Sequence, residues 1–138
     1  MDIIEKITEL SHEFGSSDYV RAGGGNTSCK DQNILWVKPS GTTLSELKQN
    51  SFVRLDRLKI AELYKIEPPA DPFARESLVK EKMNQAKVSA DSKRASVEAP
   101  LHDSLSARYV VHTHPYIVNG MTCSVNGKNA CKKIFPSA

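Results

Sequence analysis

The chain has 138 residues, 39% hydrophobic and 25% charged, with 19 basic against 16 acidic side chains for a formal net charge of +3. This length suits one domain spanning residues 1–138, and the balance excludes a disordered tail, a collagenous repeat and a disulfide scaffold. A charge this mild does not imply nucleic acid, no apolar run approaches the roughly 20 residues of a membrane span, and the acidic residues within the opening MDIIEKITEL are not those of a secretory signal.

In chain order, Ile3, Ile7, Leu10 and Phe14 step by four, three and four residues and predict an amphipathic helix stopped at Gly15. Residues 21–29 read as a glycine-rich loop followed by small hydroxyl residues. Ile34-Leu-Trp-Val37 is a short strand broken by Pro39-Ser-Gly41, a short helix is expected over residues 44–49, and Phe52-Val-Arg-Leu55 alternates like a half-buried strand. Trp36 and Phe52 read as core residues. Pro68-Pro-Ala-Asp-Pro72 is a loop, residues 73–87 an exposed helix or mobile connection, and residues 89–95 another loop. Lys80, Lys82, Lys87, Lys93 and Arg94 form a diluted basic run that reads as a solvated face, with anion steering as the minor alternative. Ser96 is placed as a helix N-cap, with Val97, Leu101 and Leu105 recurring every four residues behind it and Pro100 tolerated in the first turn. Residues 109–114 form a strand ended by Pro115, residues 116–123 a short helix, Asn126-Gly127 a turn, and a last helical stretch reaches Phe135. Strands and helices alternate, so the fold class is an α/β sandwich. Three cysteines without a CxxC (Cys29, Cys123, Cys131) are those of a protein with reduced thiols, placed in the cytoplasm.

His112 and His114 carry the strongest chemical signal. Side chains two apart in a strand share a face, so both imidazoles can reach one cation, and sheet ends are where α/β folds place ligands. A pair of incidental edge histidines is the plain alternative. Glu98 and His102, four apart on the predicted helix, share a face; they read either as a capping acid beside a satisfied histidine or as a general base near a metal. Gly23-Gly-Gly-Asn-Thr-Ser28 and Ser40-Gly-Thr-Thr43 are small-residue loops suited to close approach of an anion, although neither is a Walker loop and the first is not a clean dinucleotide fingerprint. Ser96 would make a third anion donor. Lys38 before Pro39 reads as an exposed strand-end lysine in preference to a Schiff-base amine.

Four ordered motifs now carry a resemblance: GGGNTS at residues 23–28, KPSGT at 38–42, ASVEAPLH at 95–102 and VVHTHP at 110–115. Together the chain resembles the class II aldolase/adducin family, closest in style to the rhamnulose-phosphate aldolase-like branch, some of whose members carry a second dehydrogenase domain. The resemblance implies a three-layer α/β/α sandwich with a mixed, largely antiparallel sheet. It implies a divalent-metal lyase, usually using zinc, that cleaves a ketose 1-phosphate to dihydroxyacetone phosphate and an aldehyde. His112 and His114 inherit the metal, Glu98 the proton transfer, and Gly25, Asn26, Ser40, Gly41 and Ser96 the substrate phosphate. The expected partners are a small phosphorylated sugar and further copies of the chain, a tetramer in the family, with no nucleic acid and no membrane. Val97 replaces a second hydroxyl found before the glutamate in fuculose-type members. The family's third metal histidine lies beyond residue 138, so the expectation is a fragment or a shortened domain; His102 is the nearest in-chain substitute and His12 a remoter one. Epimerase or dehydratase chemistry on the same platform, and a non-catalytic adducin-like interaction module, are the competing readings.

Overall fold

A computed structural model describes residues 2–89 and 93–137. Helix α1 (Ile3–Glu13) starts at Asp2, whose carboxylate accepts the Ile4 N–H. Strands β1 (Asn26–Lys30) and β2 (Ile34–Val37) form a hairpin turned by Asp31, which accepts the N–H groups of Asn33 and Ile34 at 2.8 and 2.7 Å. Strand β3 (Val53–Asp56) leads directly into α2 (Arg57–Leu63), capped by Asp56. Helix α3 (Pro72–Gln85), with proline in its first turn and Asp71 as cap, precedes α4 (Ala99–Ser104), β4 (Tyr109–His112), α5 (Tyr116–Thr122) and α6 (Gly127–Ile134).

The sheet runs β3-β2-β1-β4, and every pairing among these described strands is antiparallel, in keeping with the largely antiparallel sheet expected. Its register fixes two faces, because residues directly opposite one another point the same way. One face carries Leu35, Val37, Val53 and Leu55, which pack with Ile60, Met83, Ala86, Ala95 and Ala99 from the α2–α4 side. The other carries Cys29 and Trp36 against Ile7, Leu44, Leu47 and Phe52, with α1 lying across it. Helices on both faces give the α/β/α layering, and both predicted core aromatics lie in this second cluster. Burial pushes the Cys29 thiol up to about 12, so it is not a nucleophile at neutral pH. All three cysteines are free. No helix among the described residues is long and apolar enough to cross a membrane.

Four local expectations are corrected. The stretch read as a loop through Cys29 contains central strand β1, all five of whose residues are buried. Its polar composition hid it, because the partners that satisfy it lie some 70 residues away. Residues 44–49 form turns with no helix, although Leu44 and Leu47 still reach the core. Ser96 does not cap α4; that position belongs to Glu98, and the Ser96 hydroxyl instead accepts the Glu98 N–H at 3.2 Å in a local hydroxyl turn. Strand β4 ends at His112, leaving His114 in the loop before α5.

The polar face of β1 is satisfied by α4. Lys30, 6% exposed, donates to the carbonyls of His102 and Asp103 at 2.7 and 3.0 Å and to that of Leu105. An ammonium thereby closes the C-terminal end of a short helix. Ser28 Oγ lies 2.8 Å from His102 Nδ1, and His102 is 1% exposed. Burial, outweighing the attraction of Glu98, lowers the His102 pKa to about 4.

Lys30→Met leaves those three carbonyls without a donor and is expected to cost about 2–4 kcal/mol, seen as a lower urea midpoint at unchanged slope. For His102 the folded pKa lies below the ordinary value of 6.5, so the unfolded chain binds the extra proton first. The stabilisation is complete above that ordinary value and is lost as the pH falls toward about 4, a swing of about 3 kcal/mol. Unfolding free energies measured across that window should fall with acidification in the wild type and show a flatter dependence in His102→Gln.

Candidate metal centre

The site forms where β1, β4 and the start of α4 meet. Asn26 opposes His112 in the β1–β4 register, so both side chains leave the same face at the end of the sheet. His114 is held beyond the strand by its own N–H, which donates to the Tyr19 carbonyl at 2.8 Å. The two rings still converge: their centroids are 4.7 Å apart, and His112 Nε2 lies 3.0 Å from His114 Nε2. Glu98 reaches in from α4, accepting from Asn26 Nδ2 at 2.9 Å through Oε2 and bringing Oε1 to 3.3 Å from His112 Nδ1. Glu98, His112 and His114 each offer a ligand atom, all within 4.8 Å of one another.

This set fits a divalent cation. Two nitrogens meeting tip to tip, with a carboxylate nearby, are donors suited to zinc. Among the described residues three buried side-chain polar atoms have no hydrogen-bond partner: Asn26 Oδ1, His102 Nε2 and His112 Nδ1. Native interiors rarely leave such atoms unmatched; Asn26 and His112 belong to this cluster, and the His102 ring stands behind it. The contact between Glu98 and His112 Nδ1 is therefore electrostatic and falls short of a hydrogen bond. It touches the ring nitrogen opposite the one that faces His114, as an orienting carboxylate does in a carboxylate–histidine–metal arrangement.

Burial alone would raise the Glu98 pKa, but the Asn26 hydrogen bond and the imidazoles of His112, His102 and His114 outweigh it and hold the carboxyl below its ordinary value. Glu98 is thus ionised at neutral pH. The sequence's two possible substitute ligands fare differently. His102, its ring centroid 6.3 Å from that of His112, stands behind the site, tied to Ser28. His12 is engaged at 2.7 Å with the Leu47 carbonyl.

The predicted anion donors divide by geometry. Gly25 adopts φ +71°, and a Cβ there would lie 2.5 Å from Val20 and 2.8 Å from the His112 carbonyl. Its glycine is required by the close approach of this loop to β4. Asn26 is fully buried and faces Glu98. Gly41, at φ +83°, has nothing within 4 Å of where a Cβ would stand, so its backbone is open to a ligand. Ser40 joins it at the surface. Ser96 is brought alongside by the bridge between Pro39 and Ala95 and lies two residues from Glu98.

Lys38 differs from the expected exposed lysine. It is 3% exposed and its ammonium donates to the carbonyls of Thr42 at 2.7 Å, Gly23 at 3.3 Å and Pro39 at 3.4 Å, tying the two small-residue loops together. Burial lowers its pKa and the charge of Glu98 partly restores it. Its position after an apolar strand was visible in the sequence, but the carbonyls that surround it belong to loops whose conformation the sequence does not show.

The family described as Class II Aldolase and Adducin N-terminal domain matches residues 5–136. An uncharacterized oxidoreductase of Bacillus subtilis (strain 168), YuxG, is 30% identical over 142 residues, covering 96% of this chain and 20% of YuxG. The N-terminal class II aldolase domain of a conserved protein from Thermoplasma acidophilum superposes with a TM-score of 0.80 at 24% identity, covering 95% of this chain and 63% of that one. The chain thus spans about a fifth of YuxG and just under two thirds of the Thermoplasma chain. By the extent of the family match, and with the α/β/α fold in agreement, the chain belongs to the class II aldolase and adducin N-terminal domain family.

Proposed function

We propose that this domain is a divalent-metal lyase, using zinc, that cleaves a ketose 1-phosphate to dihydroxyacetone phosphate and an aldehyde. It acts in the cytoplasm as a homo-oligomer. The observation that carries the reading is the convergence of the His112 and His114 Nε2 atoms beside an ionised Glu98, with the buried Asn26 Oδ1 and His112 Nδ1 left without hydrogen-bond partners. A scaffold module has no chemical need for that arrangement.

His112 and His114 hold the cation, which when bound supplies Lewis-acid polarisation of the substrate carbonyl. Glu98 carries the proton. In the cleavage direction the C4 hydroxyl gives up its proton and becomes the aldehyde carbonyl, and the C3–C4 bond breaks with its electron pair left on the three-carbon fragment. Glu98, ionised at the start, takes up the released proton and delivers it to C3. Asn26 fixes the carboxylate through Oε2, leaving Oε1 on the histidine side. Ser40, the open Gly41 backbone and Ser96 take the phosphate. Epimerase or dehydratase chemistry would share the cation and Glu98 and differ in the fate of the fragment.

His112→Ala should weaken zinc retention by more than about a hundredfold, a fraction of the ~10–16 kcal/mol apparent worth of complete structural zinc sites. Competition with a chromogenic chelator reads this, and unchanged zinc stoichiometry and affinity would place the ligands elsewhere. Glu98→Gln should keep the metal and lower turnover of ketose 1-phosphates by about 10²–10⁴-fold, measured as dihydroxyacetone phosphate released. Wild-type rates in that variant would remove Glu98 from the mechanism. Wild-type zinc content below about a tenth of an equivalent after zinc loading would favour the interaction-module reading instead.

A further inference from the structure

The proposed phosphate cradle has hydroxyls and backbone but, so far, no charge. A phosphomonoester carries about −1.5 to −2 at pH 7, and neutral donors alone hold it weakly beside water. Three cations stand near the two loops. Lys38 is buried with its ammonium on three carbonyls, so it braces the cradle from beneath. Arg21 lies over the Tyr116 ring, 5.7 Å from its centroid. Arg94 is the third.

Arg94 is fixed to the cradle twice. Its carbonyl accepts the Ser40 N–H at 2.8 Å, and its guanidinium Nη2 donates to Ser40 Oγ at 3.1 Å. The neighbouring bridge between Pro39 and Ala95 locks the two segments side by side. The guanidinium is exposed, its fork has donors beyond the one on Ser40, and the residue that follows Ser40 in the chain is the open Gly41. Its charge is also felt by Glu76, but that carboxylate is paired with Lys80 at 2.7 Å.

We infer that Arg94 is the charge-bearing, specificity-determining residue of this site, selecting a phosphorylated substrate over its unphosphorylated counterpart by a fork of charge-assisted hydrogen bonds to the phosphate beside Ser40 and Gly41. The inference rests on the lyase reading for the identity of the site and adds to it the residue that reads the anion. An Arg fork matches phosphate oxygens in pairs, which a lysine point charge does not.

The test uses the zinc-loaded chain and two probes, 2-phosphoglycolate and glycolate, titrated calorimetrically with wild type, Arg94→Ala and Arg94→Lys. Wild type should bind 2-phosphoglycolate more tightly than glycolate. Arg94→Ala should weaken 2-phosphoglycolate at least about tenfold, leave glycolate and zinc content unchanged, and reduce the salt dependence of phosphoglycolate binding. Arg94→Lys should restore part of the loss. Equal weakening of both probes would mark Arg94 as a structural brace and overturn the inference, as would an unchanged preference for the phosphorylated probe. Failure of the wild type to hold zinc is a separate outcome: it overturns the lyase reading and this inference with it. Intact zinc without a preference for the phosphorylated probe overturns the inference alone.

Discussion

A polar strand buried at the centre of a sheet must find a partner for each of its side chains, and that requirement organises this molecule. Strand β1 reads Asn-Thr-Ser-Cys-Lys and is buried throughout. On one face Asn26, Ser28 and Lys30 reach, in order, Glu98, His102 and the C-terminal carbonyls of α4. The steps of the strand thus index the helix, and leaving any one unmatched costs more than the bond itself contributes. On the other face Thr27 is matched at 2.7 Å by Ser11 of α1. Helix α4 is only six residues long and has no side-chain cap at its N-terminus. It is held in place by this polar ladder more than by its own propensity.

The ladder has a chemical gradient. At one end the match is complete: Lys30 saturates the helix carbonyls. At the other it is incomplete, with Asn26 Oδ1, His102 Nε2 and His112 Nδ1 left without hydrogen-bond partners. Interiors tolerate such atoms where a ligand or a reaction uses them. The same sheet that insists on full satisfaction at Lys30 leaves room for chemistry at Asn26, about four residues away along one strand.

Much of this was legible from residue order. The HxH pair, Glu98 and the motif set pointed to the family and to the cluster that the fold assembles, because those residues are identifiable by type and by local spacing. Helix α1 and strands β2 and β3 were visible because their apolar residues repeat with the right period. Strand β1 was not, since its stability comes from distant polar partners and leaves no hydrophobic period. The expected helix at residues 44–49 failed for a related reason: Leu44 and Leu47 are core anchors at helical spacing, held by turns. Lys38 and Arg94 are both cations near small-residue loops, and only the fold separates the buried strut from the surface residue.

The two imidazoles hang on β4, at one end of the described strand order, and the loop just after it. Strand β4 is bonded along one side to β1, and among the described residues no strand lies along its other side. Edge strands open more readily than central ones. Any cation gripped by His112 and His114 therefore acts as a clasp on that margin: fraying of the strand releases the ion, and a bound ion lowers the frequency of fraying. By thermodynamic linkage the two events share one free energy. Ion occupancy should consequently set how often the amides of residues 109–112 exchange with solvent, while those of β2, shielded on both sides, follow the stability of the whole domain.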